Sequence, residues 1–265
     1  MRSLAALLLA ALLAGCGTLP NGRAWGEDAT LRPGGARIAR AAAAAARDPW
    51  TWGPLVGAAV FSIDDWDEET SRWARRETPV FGSERDAARA SDDLRTWARY
   101  AAHLSALATP SGEAPGEWLV NKGQGFLVEA GARSLNGLVT SGLKSAIGRE
   151  RPNEEDDRSM PSGHASSAGA SAALAVRNLE AIPWVPDGAR GLLAGTMHGI
   201  ALATGWARVE AGEHYPTDVL VGAALGNFLA RFAHDAFLGL PENLRVETAL
   251  APDGETLLLG LTWSR

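Results

Sequence analysis

Segments with the residue pattern of α-helices occupy most of this chain, and they limit its fold more than any other feature. Four of them, rich in Ala, Gly and apolar residues, run over 118–148, 165–179, 188–206 and 217–237. After the N-terminus, no window offers the roughly eighteen uninterrupted apolar residues typical of a transmembrane helix. The pattern therefore predicts an all-α fold, with a single helical-bundle domain over residues 34–240.

The end of the chain has a different pattern. Residues 244–250 and 255–263 contain partly alternating β-prone side chains, and the segment 251–254 between them, Ala-Pro-Asp-Gly, favours a turn. We therefore expect a short C-terminal β-hairpin within residues 241–265.

Residues 1–15 carry the parts of a secretory signal peptide: Arg2, a short apolar run and a small-residue cleavage region. The end of this segment, Leu13-Ala14-Gly15-Cys16, resembles the lipobox of bacterial lipoproteins. That resemblance implies cleavage before Cys16 and lipidation of the cysteine. Residues 16–33, rich in Gly, Pro and polar groups, are then expected to form a lipidated flexible tether.

The location and the partners can also be predicted. Gly17, not Asp, follows Cys16, so the lipoprotein resemblance implies an outer-membrane protein that faces the periplasm and contacts the membrane through Cys16. Cys16 is the only cysteine, which excludes an intramolecular disulfide. The 25 basic and 31 acidic side chains give a net charge of −6, which argues against nucleic acid as a partner. The oligomeric state is left open.

Three polar clusters lie at expected helix boundaries, and the first is a pair of cations. Lys144 falls near the end of a predicted helix, and Arg151 lies just beyond it, before Pro152. A guanidinium offers a planar fork for phosphate oxygens, and an ammonium offers a point charge. Basic residues at a helix C-terminus are common, so this pair alone is weak support for an anion site.

The second cluster is Pro161-Ser162-Gly163-His164, directly before a predicted helix. Free backbone N–H groups and the helix dipole favour an anion at such a position. Gly163 allows close approach of the backbone, the Ser162 hydroxyl can donate, and His164 can carry a proton near neutral pH. A capping loop with an incidental histidine explains the segment equally well.

The third cluster is Arg208, His214 and Asp218, with Pro216 and Thr217 favouring a helix start before the aspartate. Asp218 then lies in the first helical turn, within reach of the His214 ring. A carboxylate on one ring nitrogen fixes the tautomer and makes the other nitrogen more basic. A capping aspartate beside a surface histidine is the alternative.

Together the clusters resemble the three motifs of the type-2 phosphatidic acid phosphatase family, whose superfamily includes bacterial acid phosphatases and vanadium haloperoxidases. The matching motifs are Lys144-x6-Arg151-Pro152, Pro161-Ser162-Gly163-His164 and Arg208-x5-His214-x3-Asp218. The likeness covers residues 144–218 and departs from the family pattern at Ala207, where Ser is usual.

The resemblance implies a phosphatase that acts on phosphomonoesters or lipid phosphates, with no metal ion and no cofactor. The implied phosphate-binding residues are Lys144, Arg151, Ser162, Gly163 and Arg208. His214 would attack phosphorus and form a phosphohistidine, Asp218 would orient the ring, and His164 would protonate the leaving oxygen. The two histidines then need opposite protonation states, so we expect their environments to separate their pKa values.

Two other functions are compatible with these residues. A vanadate-dependent haloperoxidase would hold vanadate in the same pocket, although the chain is short for that group. A non-catalytic envelope binding protein would keep the fold alone, although the complete set of His164, His214 and Asp218 argues against it. The residues leave lipid, polyprenyl and soluble phosphates open as substrates.

Three further polar segments are expected to have structural roles. The acidic residues of 64–69 should form a solvated helix start rather than a metal site, since no histidine lies nearby. The acidic residues 154–157 should form a solvated loop, with a gate against highly anionic substrates as the alternative. The segment Ser91-Asp92-Asp93 should cap a helix.

Overall fold

The computed structural model describes residues 11–12, 14–239, 244–250 and 257–263. Most of the predicted signal peptide therefore lies outside the described residues. The first helices with complete bounds are α1 (Gly35–Arg47), α2 (Pro49–Phe61), α3 (Trp66–Glu77) and α4 (Glu84–Ala108). They are followed by α5 (Pro115–Ile147), α6 (Gly163–Ala181), α7 (Asp187–Glu210) and α8 (Pro216–Ala233), which a π-helical turn (His234–Leu238) continues.

The helices confirm the predicted all-α fold. Within the described residues, no helix combines the length and the apolar character that crossing a bilayer requires. Strands β1 (Leu244–Leu250) and β2 (Leu257–Trp263) pair antiparallel, with Leu244 opposite Trp263. Both strands fall within the predicted hairpin, while its predicted turn, 251–254, lies outside the described residues.

Helix α6 lies at the centre of the bundle, where it packs against α8, α7 and α4. Its buried side chains are mostly Ala, Ser and Gly, so the neighbouring backbones approach closely. A Cβ atom on Gly226 of α8 would lie 2.0 Å from the Ser166 carbonyl oxygen, and one on Gly222 would lie 2.6 Å from the Ser162 carbonyl oxygen. Glycine is therefore required at both positions of the α6–α8 contact.

The same contact brings two helix N-termini together. Ser162 approaches Gly222, and Ser166 approaches Gly226, so α6 and α8 run in the same direction. The Ser162 amide also donates a hydrogen bond of 2.9 Å to the carbonyl oxygen of Asp218. Because the N-terminal ends of both helix dipoles point into one region, that region favours an anion.

Helix α4 begins earlier than the sequence predicts. Ser83 caps it by accepting a hydrogen bond of 3.1 Å from the Asp86 amide. Ser91 is buried within the helix, and its hydroxyl donates to the Ala88 carbonyl oxygen at 2.7 Å. The prediction that residues 91–93 cap the helix is therefore wrong, because the helix-compatible residues before Ser91 continue the helix toward the N-terminus.

The segment that follows Cys16 packs against the helical body. Gly17 and Gly112 exchange backbone hydrogen bonds of 3.0 and 2.8 Å. Trp25 is only 3% exposed and packs in an apolar cluster with side chains of α4 and α5. Residues 16–33 thus differ from the flexible tether that their composition predicts, because the buried ring of Trp25 holds this segment against the helices. Cys16 itself is exposed.

Candidate active site

His214 lies just before α8 and is 2% exposed. Its Nδ1 atom lies 3.7 Å from Asp218 Oδ2, which is too long for a hydrogen bond. Ser159 lies between the two side chains: its hydroxyl donates to Asp218 Oδ2 at 2.5 Å and lies 3.4 Å from His214 Nδ1. The carboxylate thus acts on the Nδ1 side of the ring, which leaves Nε2 as the nitrogen available for chemistry.

Asp218 is fully buried in the first turn of α8, and two further groups hold it. The Tyr215 amide donates to Oδ2, and Arg149 Nη1 donates to Oδ1, each at 2.9 Å. Burial would raise the pKa of Asp218, but the contact with His214 and the charge of Arg149 bring it below its ordinary value. The carboxylate is therefore ionised at neutral pH.

Arg149 connects Asp218 to a second buried carboxylate. Its Nη2 atom donates to Asp67 Oδ2 at 2.7 Å, and Asp67 Oδ1 accepts from the Thr217 amide at 2.8 Å. Asp67 is 4% exposed, so the prediction of a solvated turn is wrong at this residue of the 64–69 segment. The reason is tertiary: Asp67 meets the guanidinium of Arg149 and the free N–H of the α8 start, both distant in sequence.

Lys144 lies at the end of α5 and reaches the second motif. A Cβ atom on Gly163 would be 3.8 Å from Lys144 Cε, and the ammonium donates to the Ser159 carbonyl oxygen at 3.4 Å and to that of Arg158. Burial, together with the nearby charge of Arg151, lowers the pKa of Lys144 to about 8. Near pH 7 the side chain is still mainly cationic.

Arg151 and Arg208 converge on one carboxylate. Glu213 Oε2 lies 2.8 Å from Arg208 Nη2 and also accepts a hydrogen bond from Arg151 Nη1. Arg151 Nε donates to Asp156 Oδ1 at 2.6 Å. Asp156 belongs to the acidic loop 154–157, which was expected to be solvated. One member of that loop therefore holds a predicted phosphate-binding residue.

His164 lies in the first turn of α6, facing α4. Its Nε2 atom is 3.0 Å from Asp92 Oδ1. On the same stretch of α4, the Ser91 hydroxyl accepts a hydrogen bond of 3.4 Å from Arg208 Nη1. Ser91 and Asp92 therefore form part of the wall around the second and third motifs, whereas their sequence pattern predicts only a capping role.

Ser162 is fully buried and caps α6, since its hydroxyl oxygen accepts a hydrogen bond of 3.4 Å from the Ala165 amide. This contact places Ser162 and the Gly163 N–H at the positive end of the helix dipole, where the second motif was expected to meet phosphate. The hydroxyl hydrogen of Ser162 stays available to donate to an anion.

The two histidines are not separated in pKa as expected. Burial lowers the pKa of His164 to about 4, and the charge of Arg208 acts in the same direction. Burial also lowers the pKa of His214 to about 4, against the opposing effect of Asp218. Both rings are therefore neutral near pH 7. A bound phosphate group would raise both pKa values, because negative charge stabilises an imidazolium.

The structure brings together all eight side chains and backbone groups predicted for catalysis and phosphate binding, at the joined N-termini of α6 and α8. It adds six residues that the sequence interpretation did not assign to the site. They are Asp67, Ser91, Asp92, Arg149, Ser159 and Glu213. Glu213 directly precedes His214, and Arg149 lies two residues before Arg151. Their closeness to the motifs in sequence is a signal that could have identified them. Asp67 and Asp92 lie far from the motifs, and no spacing rule identifies them.

A family model of the PAP2 superfamily matches residues 130–239. Among solved structures, the chain is similar to a transmembrane PAP2-type phosphatidylglycerolphosphate phosphatase from Bacillus subtilis, with 22% identity and a TM-score of 0.44 over 69% of this chain and 92% of that chain. A comparison with curated proteins gives no match.

The matched segment contains all three motifs, from Lys144 to Asp218, together with helices α6, α7 and α8 that position them. Three contributions come from outside it: Asp67, Ser91 and Asp92. The likeness to the PAP2 superfamily thus covers the part of the chain that carries the three motifs, residues 130–239.

Proposed function

We propose that this protein is a metal-independent phosphatase that hydrolyses phosphomonoesters or lipid phosphates through a phosphohistidine at His214. A phosphate-ester hydrolase is the activity class that the family match supports. The observation that carries the proposal is the convergence of Lys144, Arg151 and Arg208 on the histidine pair at two helix N-termini. Three cations and two helix dipoles supply the positive charge that phosphoryl transfer requires at the equatorial oxygens.

The first step of the proposed reaction forms a phosphorus–nitrogen bond. His214 Nε2 attacks phosphorus, and the bond from phosphorus to the leaving oxygen breaks. Asp218 and Ser159 on the Nδ1 side stabilise the positive charge that develops on the ring. His164 gives a proton to the leaving oxygen, so the alcohol departs neutral.

The second step releases phosphate. Neutral His164 accepts a proton from water as the water oxygen attacks phosphorus. The phosphorus–nitrogen bond breaks, and His214 returns to its neutral form. The proton that His164 gains in this step replaces the one that it gave to the leaving oxygen. The enzyme thus returns to its starting state without a metal ion.

The test is phosphate release from an aryl phosphate by the purified chain with EDTA present. We expect activity in the wild type and a loss of about a thousandfold or more in His214→Ala, because removal of a nucleophile abolishes the covalent route. His103→Ala, which changes a histidine of α4 outside the site, should keep its activity. A phosphoryl group trapped on His214 after acid-free quenching would identify the intermediate. A folded wild type without activity on any phosphoester would contradict the proposal.

We also propose that Cys16 is lipidated and holds the protein on the periplasmic side of the outer membrane. The lipobox-like sequence and the exposure of Cys16 support this location. In cell fractionation, Cys16→Ala should leave the membrane fraction or remain unprocessed, whereas the exposed-residue control Thr18→Ala should stay membrane-bound. Membrane attachment of Cys16→Ala after normal cleavage would contradict the tether.

A further inference from the structure

A single carboxylate lies between two of the arginines that the proposed reaction uses. Glu213 Oε2 forms an ion pair with Arg208 Nη2 at 2.8 Å and accepts a hydrogen bond from Arg151 Nη1. The turn after α7 fixes this position: Gly212 has a φ of 72°, and the Glu213 amide donates to the Arg208 carbonyl oxygen at 3.1 Å. Glu213 is thus directed back onto the helix end that carries Arg208.

Arg208 shows why a charged partner is needed there. The residue is buried, and an unpaired buried guanidinium is strongly unfavourable. Its Nη1 donates to the neutral Ser91 hydroxyl, while its Nε is buried and has no hydrogen-bond partner among the described residues. The Glu213 carboxylate oxygen therefore neutralises the charge of Arg208 but leaves its Nε–H without an acceptor. A phosphate group has more acceptor oxygens, so it can both neutralise the charge and accept from this N–H.

We infer that Glu213 is an internal competitor for the phosphate site. Its carboxylate holds Arg151 and Arg208 while the site is empty and must release them when a phosphate group binds. The Glu213 side chain is 21% exposed, so it has room to turn toward solvent. This inference rests on the proposed function, since it concerns how the same site exchanges the Glu213 carboxylate for a phosphate group.

The inference predicts the direction in which phosphate affinity changes when the charge of Glu213 is removed. If Glu213 competes with phosphate, removing its charge strengthens phosphate binding, because the guanidiniums no longer have to leave a carboxylate. If Glu213 only positions the two arginines, removing its charge weakens binding, because the arginines lose their common partner. The two roles therefore predict opposite changes in the dissociation constant.

The experiment is calorimetric titration of inorganic phosphate into the purified full chain, comparing wild type with Glu213→Gln. We expect the Kd of phosphate to fall about three- to fivefold, as suits the loss of a partly exposed ion pair. The inhibition constant of phosphate in the aryl phosphate assay should fall by the same factor. Glu213→Ala should show the same direction, which guards against a specific effect of the amide.

Glu155→Gln is the matched control, because it removes the same charge from an exposed residue of the neighbouring acidic loop. Its Kd should equal that of the wild type. Unchanged or weaker phosphate binding in both Glu213 variants would overturn the inference. An equal gain of phosphate affinity in Glu155→Gln would overturn it too, as would an absence of phosphate binding in all of the proteins. If the proteins bind phosphate but do not hydrolyse any phosphate ester, the proposed function is contradicted. The phosphate Kd values of the variants can still be compared in that case.

Discussion

At the scale of single residues, the hydroxyl of Ser159 decides how the His214 ring is held. Because the ring and the Asp218 carboxylate are 3.7 Å apart, their direct contact is weak, and the hydroxyl bridges them. Donation from Ser159 to the carboxylate leaves the hydroxyl oxygen free to accept from Nδ1–H. This geometry keeps the proton on Nδ1 and the lone pair on Nε2, as attack on phosphorus requires.

We predict that Ser159→Ala lowers kcat about tenfold or more while the protein stays folded. A hydrogen bond to a charged group contributes about 1.5–3 kcal/mol, which corresponds to at least that factor in rate. The measurement is aryl phosphate hydrolysis under saturating substrate. Ser171→Ala, which changes a buried serine of α6 whose hydroxyl donates to the Ser167 carbonyl oxygen, serves as the control. Equal kcat values in the two variants would contradict the bridging role of Ser159.

A second residue-scale prediction concerns pH. Burial and Arg208 lower the pKa of His164 to about 4, and Asp92 opposes them. Asp92→Asn removes the opposing charge, so the pKa of His164 should fall further. Above that pKa, each unit lost reduces the protonated fraction about tenfold. We therefore expect the alkaline limb of the kcat/KM profile to move to lower pH.

The control for this pH experiment is the adjacent exposed residue, in Asp93→Asn, which should leave the profile in place. Both profiles can be measured between about pH 4 and 8 with one aryl phosphate. A profile of Asp92→Asn that coincides with that of the wild type, or that moves to higher pH, would exclude Asp92 as the partner that sustains the acid form of His164.

At the scale of helices, the close packing of α6 and α8 sets the distance between the second and third motifs. Their N-termini carry His164 and Asp218, so a shift of either helix changes the pocket. The glycines at the contact allow this approach, since Gly226 meets the backbone of Ser166 rather than a side chain that could turn away. The pocket geometry therefore depends on residues that contact no substrate.

We predict that Gly226→Ala destabilises the protein by about 3 kcal/mol or more, because the added methyl overlaps a carbonyl oxygen and cannot be accommodated without a helix shift. Gly199→Ala is the matched control: it lies inside α7 with open space around the added methyl. That change should stabilise the protein by up to about 1 kcal/mol through helix propensity. Urea denaturation of both variants provides the comparison, and similar stabilities would contradict the close contact.

At the scale of the whole molecule, the N-terminal segment and the pocket lie at opposite ends of α5. Gly17 pairs with Gly112 just before this helix, while Lys144 lies in its last turn. The 29 positions from Pro115 to Lys144 correspond to roughly 44 Å of helix. An anchor at Cys16 would therefore hold the end of the body distant from the pocket, which places a constraint on how a lipid substrate reaches His214.

We predict that Trp25→Ala lowers the free energy of unfolding by about 3 kcal/mol, the cost of removing a large buried ring. Trp97→Ala is the control, since Trp97 is 64% exposed on α4 and should change stability by less than about 0.5 kcal/mol. Thermal and urea unfolding measure both effects. Equal stabilities would indicate that residues 16–33 contribute nothing to the folded body.

The sequence alone determined the helical class, the three motifs and the place of each motif at a helix boundary. It could do so because helix periodicity, capping residues and motif spacing are local properties of the chain. Only the tertiary structure brought Asp67, Asp92 and Arg149 to the pocket, because ion pairs between distant segments have no local pattern. It also set the low pKa values of His164 and His214, since burial is a property of the packed bundle. The same packing brought Glu213 onto both arginines, so the competition for phosphate follows from the fold.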